Sequence, residues 1–366
     1  MQKQQEIKIV LGALFGDEGK GNVVQWLCKQ AIQDGKKPIV IRFCGGPQAG
    51  HRVVHNGLEH VCSTFGSGSL LDVPTFYAGT PNCFIDPISL KREKEDLVSK
   101  GLNPQLFVKG NPTIITPYDV LAGIHSTEVM TNGSCGKGIY PAFLRRNTKP
   151  LMCELGEIAD FWELGREKVT EELYTESLKE YIRDHVVSDK ESVFANYDVL
   201  IFEGTQGLLL DKNRGFMPHC TPSNVGLNGI HQSFLKSSTE VYLVTRTYTT
   251  RHGNGYEPKF EEKVKEYFNL YEPTNLDTGY QGKFKVGVFE VPLLLRAFDR
   301  HVLDNYNVKY NLVITHVDCL KDTDCLPCVS AYNYFDVQSL DYVVTDINEY
   351  SCIKFERILP CSSEEM

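Results

Sequence analysis

The sequence predicts an α/β protein with a mostly parallel central sheet flanked by helices. Short apolar runs recur along the chain and alternate with segments of helical periodicity. Glycine-rich loops follow the first two runs, which is typical of parallel sheets that bind ligands at their carboxyl edge. The 366 residues are 42% hydrophobic and 23% charged, as in folded globular chains. We expect one domain over residues 1–366, with helical insertions at about 86–130 and 154–196.

The elements follow in order along the chain. Residues 7–14 form an apolar run that predicts the first strand, and residues 23–31 carry apolar side chains at helical spacing. The run PIVIRF at 38–43 predicts the second strand. Three further runs predict strands, at 198–202, 240–247 and 310–315. Charged segments with one apolar face predict helices at 90–100 and 155–184.

Charge and cysteine usage narrow the class of partner. The formal net charge of -9 argues against non-specific electrostatic binding of nucleic acid, so we expect small-molecule partners. No apolar run approaches the roughly 18 residues that cross a bilayer, which predicts no membrane span. Residues 1–8 show no secretory signal, and the 12 cysteines resemble reduced thiols rather than a disulfide scaffold. These features predict a cytoplasmic protein.

The first glycine-rich loop predicts phosphate binding. It reads Gly16-Asp17-Glu18-Gly19-Lys20-Gly21 between a strand and a helix, where backbone N–H groups can hold phosphate. The loop lacks the spacing of a strict P-loop. A carboxylate beside phosphates would be repelled unless it bound Mg²⁺ or acted as a base. The alternative is a turn whose acids are simply solvated.

A second glycine cluster, at residues 44–51, ends in Gly50-His51 and follows the second predicted strand. Ligands bind at the carboxyl ends of strands in open α/β sheets. His51 could serve there as an acid, a base or a phosphate partner. A structural histidine is the alternative.

These loops, followed by further motifs in order, resemble the adenylosuccinate synthetase family. The resemblance rests on Gly-Asp-Glu-Gly-Lys-Gly at 16–21, Ala-Gly-His at 49–51 and Phe-Glu-Gly-Thr-Gln-Gly at 202–207. It continues with four more segments: Gly-Ser-Cys-Gly-Lys-Gly at 133–138, Thr-Pro-Ser-Asn at 221–224, Tyr-Thr-Thr-Arg at 248–251 and Thr-His-Val-Asp at 315–318. The family pattern around the segment at 248–251 reads Tyr-x-Thr-Arg-x-Gly-x-Gly. The resemblance implies the P-loop-related fold of this family.

The resemblance also implies a reaction. The family phosphorylates the 6-oxygen of IMP with GTP, and the amine of aspartate then displaces the phosphate to give adenylosuccinate. By resemblance, Asp17 takes the N1 proton and contacts Mg²⁺, His51 stabilises the transferring phosphoryl group, and Gln206 joins them in the catalytic set. The Gly50 carbonyl is the second implied metal ligand.

The remaining implied contacts fall into four groups. The donor phosphates would meet Gly16, Glu18, Gly19, Lys20 and Gly21. The donor base would meet Thr315, His316 and Asp318. The acceptor nucleotide would meet Gln48, Ser134, Cys135, Gln206, Thr221 and, across a homodimer interface, Arg145 or Arg146. Aspartate would meet Thr278, Lys283 and Lys285.

The sequence departs from the family pattern where specificity is set. Gln48 replaces an asparagine, Cys135 a threonine and His316 a lysine, and the loop at 275–285 has lysines in place of several arginines. Lysine lacks the bidentate fork of arginine. These changes favour a shifted specificity, and they leave GTP or ATP open as donor.

Several alternatives stay open from the sequence. IMP is the default acceptor because Asp17 is retained. A viral-type synthase of 2-aminoadenylosuccinate, using (d)GMP with ATP, dATP or GTP in a host cytoplasm, is the close alternative. A nucleotide-binding relative without turnover, or a simple NTPase, is the different-class alternative. A zinc site at Cys325 and Cys328 is disfavoured because no second pair has suitable spacing.

Overall fold

The computed structural model describes residues 5–80, 82–127, 134–146, 162–164, 167–169, 171–186, 193–270, 272, 282–301 and 306–362. The helices are α1 Lys20–Gln33, α2 Pro87–Ser99, α3 Pro117–His125, α4 Ile139–Arg145, α5 Glu171–His185, α6 Glu261–Tyr267, α7 Val291–His301 and α8 Leu340–Tyr350. The first strands are β1 Glu6–Gly12, β2 Pro38–Arg42, β3 His51–His55, β4 Leu58–Cys62, β5 Thr75–Gly79, β6 Phe84–Ile85, β7 Leu106–Gly110, β8 Thr113–Ile114, β9 Trp162–Leu164 and β10 Glu167–Val169. The later strands are β11 Val199–Gly207, β12 Glu240–Arg246, β13 Thr249–His252, β14 Phe284–Gly287, β15 Phe289–Glu290, β16 Lys309–Thr315, β17 Leu326–Val329, β18 Phe335–Gln338 and β19 Phe355–Pro360.

Eight strands form the central sheet in the order β19-β16-β12-β1-β11-β2-β5-β7. Every neighbouring pair in it is parallel, which confirms the predicted fold class. The five strands predicted from apolar runs are its β1, β2, β11, β12 and β16, which are consecutive in this order of strands. Their inner residues are buried on both faces, as parallel sheets require.

Helix α1 covers one face of the sheet. Its Val24 and Leu27 pack, fully buried, against Val10 and Ile201 of the strands. The helix begins after Gly19, whose backbone has φ 85° and ψ 25°. This left-handed conformation suits glycine, and it lets the chain turn from the loop directly into the helix. The packing therefore fixes the helix N-terminus at the carboxyl edge of the sheet.

Two predicted segments differ from the structure. The helix expected over 155–184 begins only at Glu171 within the described residues, and the antiparallel strands β9 and β10 precede it. The segment 86–130 contains α2 and α3, but it also supplies β7, the edge strand of the central sheet. Short apolar runs such as LFVKG cannot be told from helix by periodicity alone. None of the helices in the described part of the chain is long and apolar enough to span a membrane.

Candidate active site

A cavity of about 880 Å³ lies at the carboxyl edge of the central sheet. Its walls come from the segments at the ends of β1, β2, β11, β12 and β16. The predicted site residues that line it are Gly16, Asp17, Gly19, Lys20, Gly21, Gln48, Gly50, His51, Ser134, Cys135, Gln206, Thr221, His316 and Asp318. Its volume is ordinary for a small-molecule site. Motifs far apart in the sequence therefore meet in one place.

The first glycine loop is held in shape from within. The buried Glu18 carboxylate accepts hydrogen bonds from the backbone N–H groups of Leu14 and Gly16, at 2.9 and 2.8 Å. Lys20 Nζ donates to the Gly16 carbonyl at 2.5 Å and lies 3.4 Å from Glu18. Glu18 does not line the cavity among the described residues. It braces the loop instead of facing the ligand space, because its charge is satisfied by the loop's own N–H groups and by Lys20.

His51 is positioned by a buried charge network. Its Nδ1 lies 2.5 Å from Glu203 Oε1, and Glu203 also accepts from the backbone N–H of Ser67 at 3.0 Å and from the Ser67 hydroxyl. Arg42 Nη1 lies 3.6 Å from the same carboxylate oxygen. An ionised carboxylate only accepts hydrogen bonds, so Nδ1 carries the proton. His51 Nε2 is buried and has no partner in the described chain, which leaves it for a ligand.

The same network sets the ionisation of its members. Burial alone would raise the pKa of the Glu203 carboxyl, but Arg42 and His51 lower it to about 2. Burial, helped by Arg42 and Lys20, lowers the pKa of His51 despite the opposing effect of Glu203. At neutral pH the Glu203 carboxylate is therefore ionised and the His51 imidazole is neutral.

Asp17 faces the cavity from the tip of the first loop. Its side chain is 33% exposed, whereas the neighbouring Glu18 side chain is only 3% exposed. Asp17 Oδ2 lies 3.7 Å from His252 Nε2. The two acids that adjoin in sequence thus have opposite environments, and Asp17 is the one that can reach a ligand.

At the end of β16, three predicted residues take different positions. Thr315 Oγ1 donates to the Glu18 carbonyl at 2.8 Å, so it ties the strand to the first loop and does not itself line the cavity. His316 has φ 62° and lies edge-on to Tyr248. Burial, reinforced by Arg246, holds the pKa of His316 well below its ordinary value, so the ring is neutral. Asp318 lines the cavity beside it.

Other parts of the cavity wall carry neutral polar groups. Thr205 Oγ1 donates to Gln206 Oε1 at 2.6 Å, so the Gln206 amide nitrogen is the part that can donate to a ligand. Burial raises the pKa of Cys135, which keeps its thiol protonated. Ser134, Thr221 and Gln48 also line the cavity.

Besides Glu18 and Thr315, four more predicted residues do not line the cavity in the described structure. Arg145 forms two hydrogen bonds with Asp119, at 2.8 and 2.7 Å, and the Arg146 guanidinium lies 4.2 Å from the centre of the Phe143 ring. The other two are lysines with acidic partners: Lys283 Nζ lies 3.8 Å from Glu261, and Lys285 pairs with Glu257. Thr278 lies outside the described residues.

Sequence reasoning missed several groups in or behind the cavity wall. These are Lys212, His219, Arg246, Arg251, His252 and Glu272, which line it, and Glu203, which lies behind His51. Arg251 and Glu203 belong to motifs that were used only to support the resemblance. Their positions inside those motifs were a signal that a closer reading could have used.

The oxygen atoms present suit a magnesium ion. Asp17 and the Gly50 backbone lie in the cavity wall, and Mg²⁺ prefers hard oxygen ligands. Among the described residues no cluster of three or more His, Cys, Asp or Glu side chains could hold a metal. Mg²⁺ is commonly held by one or two carboxylates together with substrate phosphates, so a sparse donor set fits it. Cys325 and Cys328 are free thiols.

A parallel α/β sheet with a phosphate-type loop and a buried, carboxylate-oriented histidine at its carboxyl edge defines a nucleotide-dependent enzyme. The family model of adenylosuccinate synthetase matches residues 9–173 and 153–358. The chain belongs to the adenylosuccinate synthetase family. It is accordingly a C–N ligase that joins aspartate to a purine nucleotide.

Individual relatives agree with this assignment. The adenylosuccinate synthetase of Francisella philomiragia is 27% identical over 393 aligned positions, which cover 94% of this chain and 87% of the relative. The fully ligated adenylosuccinate synthetase from Plasmodium falciparum is similar in structure, with TM-score 0.68 and 20% identity over 94% of this chain and 86% of that one. The cyanophage S-2L succinoaminodeoxyadenylate synthetase (PurZ), bound to dGMP and to dATP as energy donor, has TM-score 0.67 and 15% identity, and covers 98% and 92%. The two structures support the same fold.

Proposed function

We propose that the protein joins L-aspartate to C6 of IMP, driven by hydrolysis of GTP to GDP and phosphate, and releases adenylosuccinate. The observation that carries the proposal is that Asp17, Lys20 and His51 line the same cavity. A relative that only bound nucleotides would need no carboxylate inside its phosphate loop. A simple NTPase would need no second set of polar groups around Gln206.

The proposed reaction has two steps. Asp17 first accepts the N1 proton of the purine, and O6 attacks the γ-phosphorus while GDP leaves. His51 Nε2 stabilises the charge on the transferring phosphoryl group, because Glu203 holds the ring in a fixed orientation. The amine of aspartate then attacks C6 and displaces phosphate. The Gln206 amide nitrogen is suited to hold O6, since its oxygen already accepts from Thr205.

The metal and the first loop would act together on the donor phosphates. Asp17 and the Gly50 carbonyl are the proposed ligands of Mg²⁺, which when bound neutralises charge on the phosphate oxygens. The backbone of Gly16, Gly19 and Gly21 and the Lys20 ammonium are the proposed phosphate contacts. Glu18 supports them by bracing the loop.

The remaining substrate contacts are proposals of the same kind. The donor base would meet His316 and Asp318, with Thr315 holding the strand end in place. The acceptor nucleotide would meet Gln48, Ser134, Cys135, Gln206 and Thr221. Arg145 or Arg146 would reach the acceptor phosphate of the partner subunit in a homodimer. We propose a cytoplasmic location, where nucleotides and thiol reductants are both abundant.

One observation favours (d)GMP as a second candidate acceptor. Gln48 Oε1 is buried and accepts no hydrogen bond in the described chain, although the residue lines the cavity. A guanine presents a 2-amino donor that IMP lacks. The neutral His316 likewise removes a cation from the donor-base end, which keeps ATP and dATP as candidate donors.

A substrate matrix tests both candidates. IMP, GMP and dGMP are each combined with GTP, ATP or dATP, Mg²⁺ and aspartate, and the succinyl adduct is identified by mass spectrometry. The proposal expects the adduct with IMP and GTP, with phosphate released in equal amount. An adduct only with GMP or dGMP would favour the second candidate. Phosphate release that needs neither aspartate nor a purine monophosphate would indicate a simple NTPase.

A further inference from the structure

Arg251 is a buried cation in the wall of the cavity. It lies on β13, which pairs with β14, and it is only 6% exposed. Its Nη2 donates to the backbone carbonyls of Asn254 at 2.9 Å and His219 at 3.3 Å. The guanidinium carbon lies 5.0 Å from the centre of the Phe15 ring. Its Nε is buried with no hydrogen-bond partner among the described residues.

Three other cations of the wall have acidic partners, whereas Lys212 also lines the cavity but is only partly buried. Lys20 meets Glu18, Arg246 pairs with Glu272, and Arg52 forms a two-point contact with Glu59 at 2.8 Å. The hydrogen bonds that Arg251 makes in the described structure go to neutral carbonyls. A buried charge is costly unless a counter-charge and hydrogen bonds satisfy it. An anionic group of a bound ligand would therefore satisfy the charge of Arg251.

The strand that carries Arg251 also passes the reacting centre. The next residue, His252, has its Nε2 3.7 Å from Asp17 Oδ2. Asp17 is the proposed acceptor of the N1 proton, and N1 is bonded to C6, where the amine must attack. A carboxylate attached to the attacking amine thus comes within a few bond lengths of this strand.

The same strand pair adjoins the segment in which sequence reasoning placed the amine donor. The Gly253 N–H donates to the Lys283 carbonyl at 3.2 Å. The side chains of Lys283 and Lys285 are near Glu261 and Glu257 and do not line the cavity in the described structure. Arg251 lines it. Of the cations on this strand pair, the one that lines the cavity is therefore Arg251 on β13, and neither Lys283 nor Lys285 does.

We propose that Arg251 binds a carboxylate of the amine donor, and so takes the role that sequence reasoning gave to Lys283 and Lys285. The inference rests on the proposed function. A guanidinium offers charge-assisted hydrogen bonds in a geometry that matches carboxylate. The Asn254 and His219 carbonyls and the Phe15 ring hold its plane before the ligand arrives, which limits the side-chain entropy lost on binding.

Arg251→Met tests the proposal, with Arg300→Met as the matched control. Arg300 also donates to two backbone carbonyls, at 2.6 and 3.0 Å, and stacks on an aromatic ring, but it does not line the cavity. Loss of the charged contact should raise KM for aspartate roughly 10- to 100-fold. The dissociation constants of the nucleotides should stay within about 2-fold, as expected for groups that make no contact with the changed side chain. The control should leave both unchanged.

Two results would overturn the inference. Weaker binding of the purine monophosphate with an unchanged KM for aspartate would show that Arg251 contacts the phosphate. No change in either quantity would show that Arg251 serves only in packing. If Arg251→Met does not fold, Arg251→Gln, which keeps donors for the two carbonyls, replaces it.

A binding arm separates this inference from the proposed function. Aspartate is titrated calorimetrically into wild-type and variant protein saturated with IMP, GDP and Mg²⁺, which requires no turnover. Binding to wild type that is lost in the Arg251 variant supports the inference, even where no adduct forms. Equal binding to both proteins, or binding to neither, contradicts it. Failure of the adduct assay alone contradicts the proposed function.

Discussion

Replacement of Glu203 by glutamine should cost the protein a large part of its stability. Glu203 is fully buried among Arg42, His51 and Ser67. Its pKa is about 2 against an ordinary value of 4.5, and one pKa unit corresponds to about 1.36 kcal/mol. The ionised network therefore contributes about 3 kcal/mol above pH 4.5. This agrees with the loss of about 3–5 kcal/mol seen when one member of a buried ion pair is removed.

The sign of the pH dependence follows from the lowered pKa. A carboxyl whose pKa is lower in the folded state stabilises the fold above its unfolded pKa, and this stabilisation disappears as the pH falls through the folded pKa. For Glu203 the window runs from 4.5 down to about 2. The difference between wild type and Glu203→Gln should be the same at pH 7 and pH 5.5, and should shrink only below that window's upper end.

Urea denaturation measures the effect, with ΔG extrapolated to water. Glu257→Gln is the control, since its carboxylate is 71% exposed in a surface ion pair with Lys285 and should change ΔG by less than about 1 kcal/mol. Glu203→Gln should also lower kcat, because His51 loses the carboxylate that orients it. A loss of stability no greater than that of the control at pH 7 would refute the reasoning.

Three further predictions concern the chemistry. Asp17→Asn and His51→Asn should each abolish formation of the succinyl adduct while circular dichroism shows a folded protein; adduct formed at the wild-type rate by either variant would contradict its assigned role. Asp318→Asn should weaken the triphosphate by about 10-fold or more, as for loss of hydrogen bonds to a charged group, and the monophosphate much less; calorimetry distinguishes this from an equal loss of both. Chelation of divalent cations by EDTA should stop phosphate release, and Mg²⁺ should restore it; release that persists in EDTA would argue against the metal ligands proposed at Asp17 and Gly50.

The central strands could be predicted because each is a local pattern. Residues 38–43 and 310–315 are apolar runs with flanking turns, and the structure has strands β2 and β16 there. Strand β7 was missed because its run is short and lies among charged helical segments. The helix expected from 155 was wrong at 162–164 and 167–169, which form antiparallel strands although apolar residues recur at three- and four-residue steps across the predicted segment. In so short a segment, the spacing of apolar residues does not distinguish a helix from paired strands.

Among the site residues, too, those in local motifs could be predicted and those that depend on the fold could not. The first loop and Gly50-His51 could be predicted because glycines, acids and histidine in short motifs after a strand indicate a binding loop from the local sequence alone. The contacts of Glu203 depend on register, since the sheet places it opposite Arg42 of a strand that lies far away in sequence. Asp17 is exposed and Glu18 is buried because they lie on different sides of the loop. Their adjacent positions in the sequence do not predict which side each one takes.

The hydrogen bond from Thr315 to the Glu18 carbonyl directly joins two regions at the carboxyl edge of the sheet. One is the loop proposed to hold phosphates, and the other is the strand end proposed to hold the base. A nucleotide spanning both would bind a template whose spacing is already set, so its two ends would act as one chelating ligand. Substitution of Thr315 by valine would keep every ligand contact yet loosen that spacing. The free base and free triphosphate would then bind with almost normal affinity, while the intact nucleotide would bind more weakly because its two ends would no longer fit both regions at once.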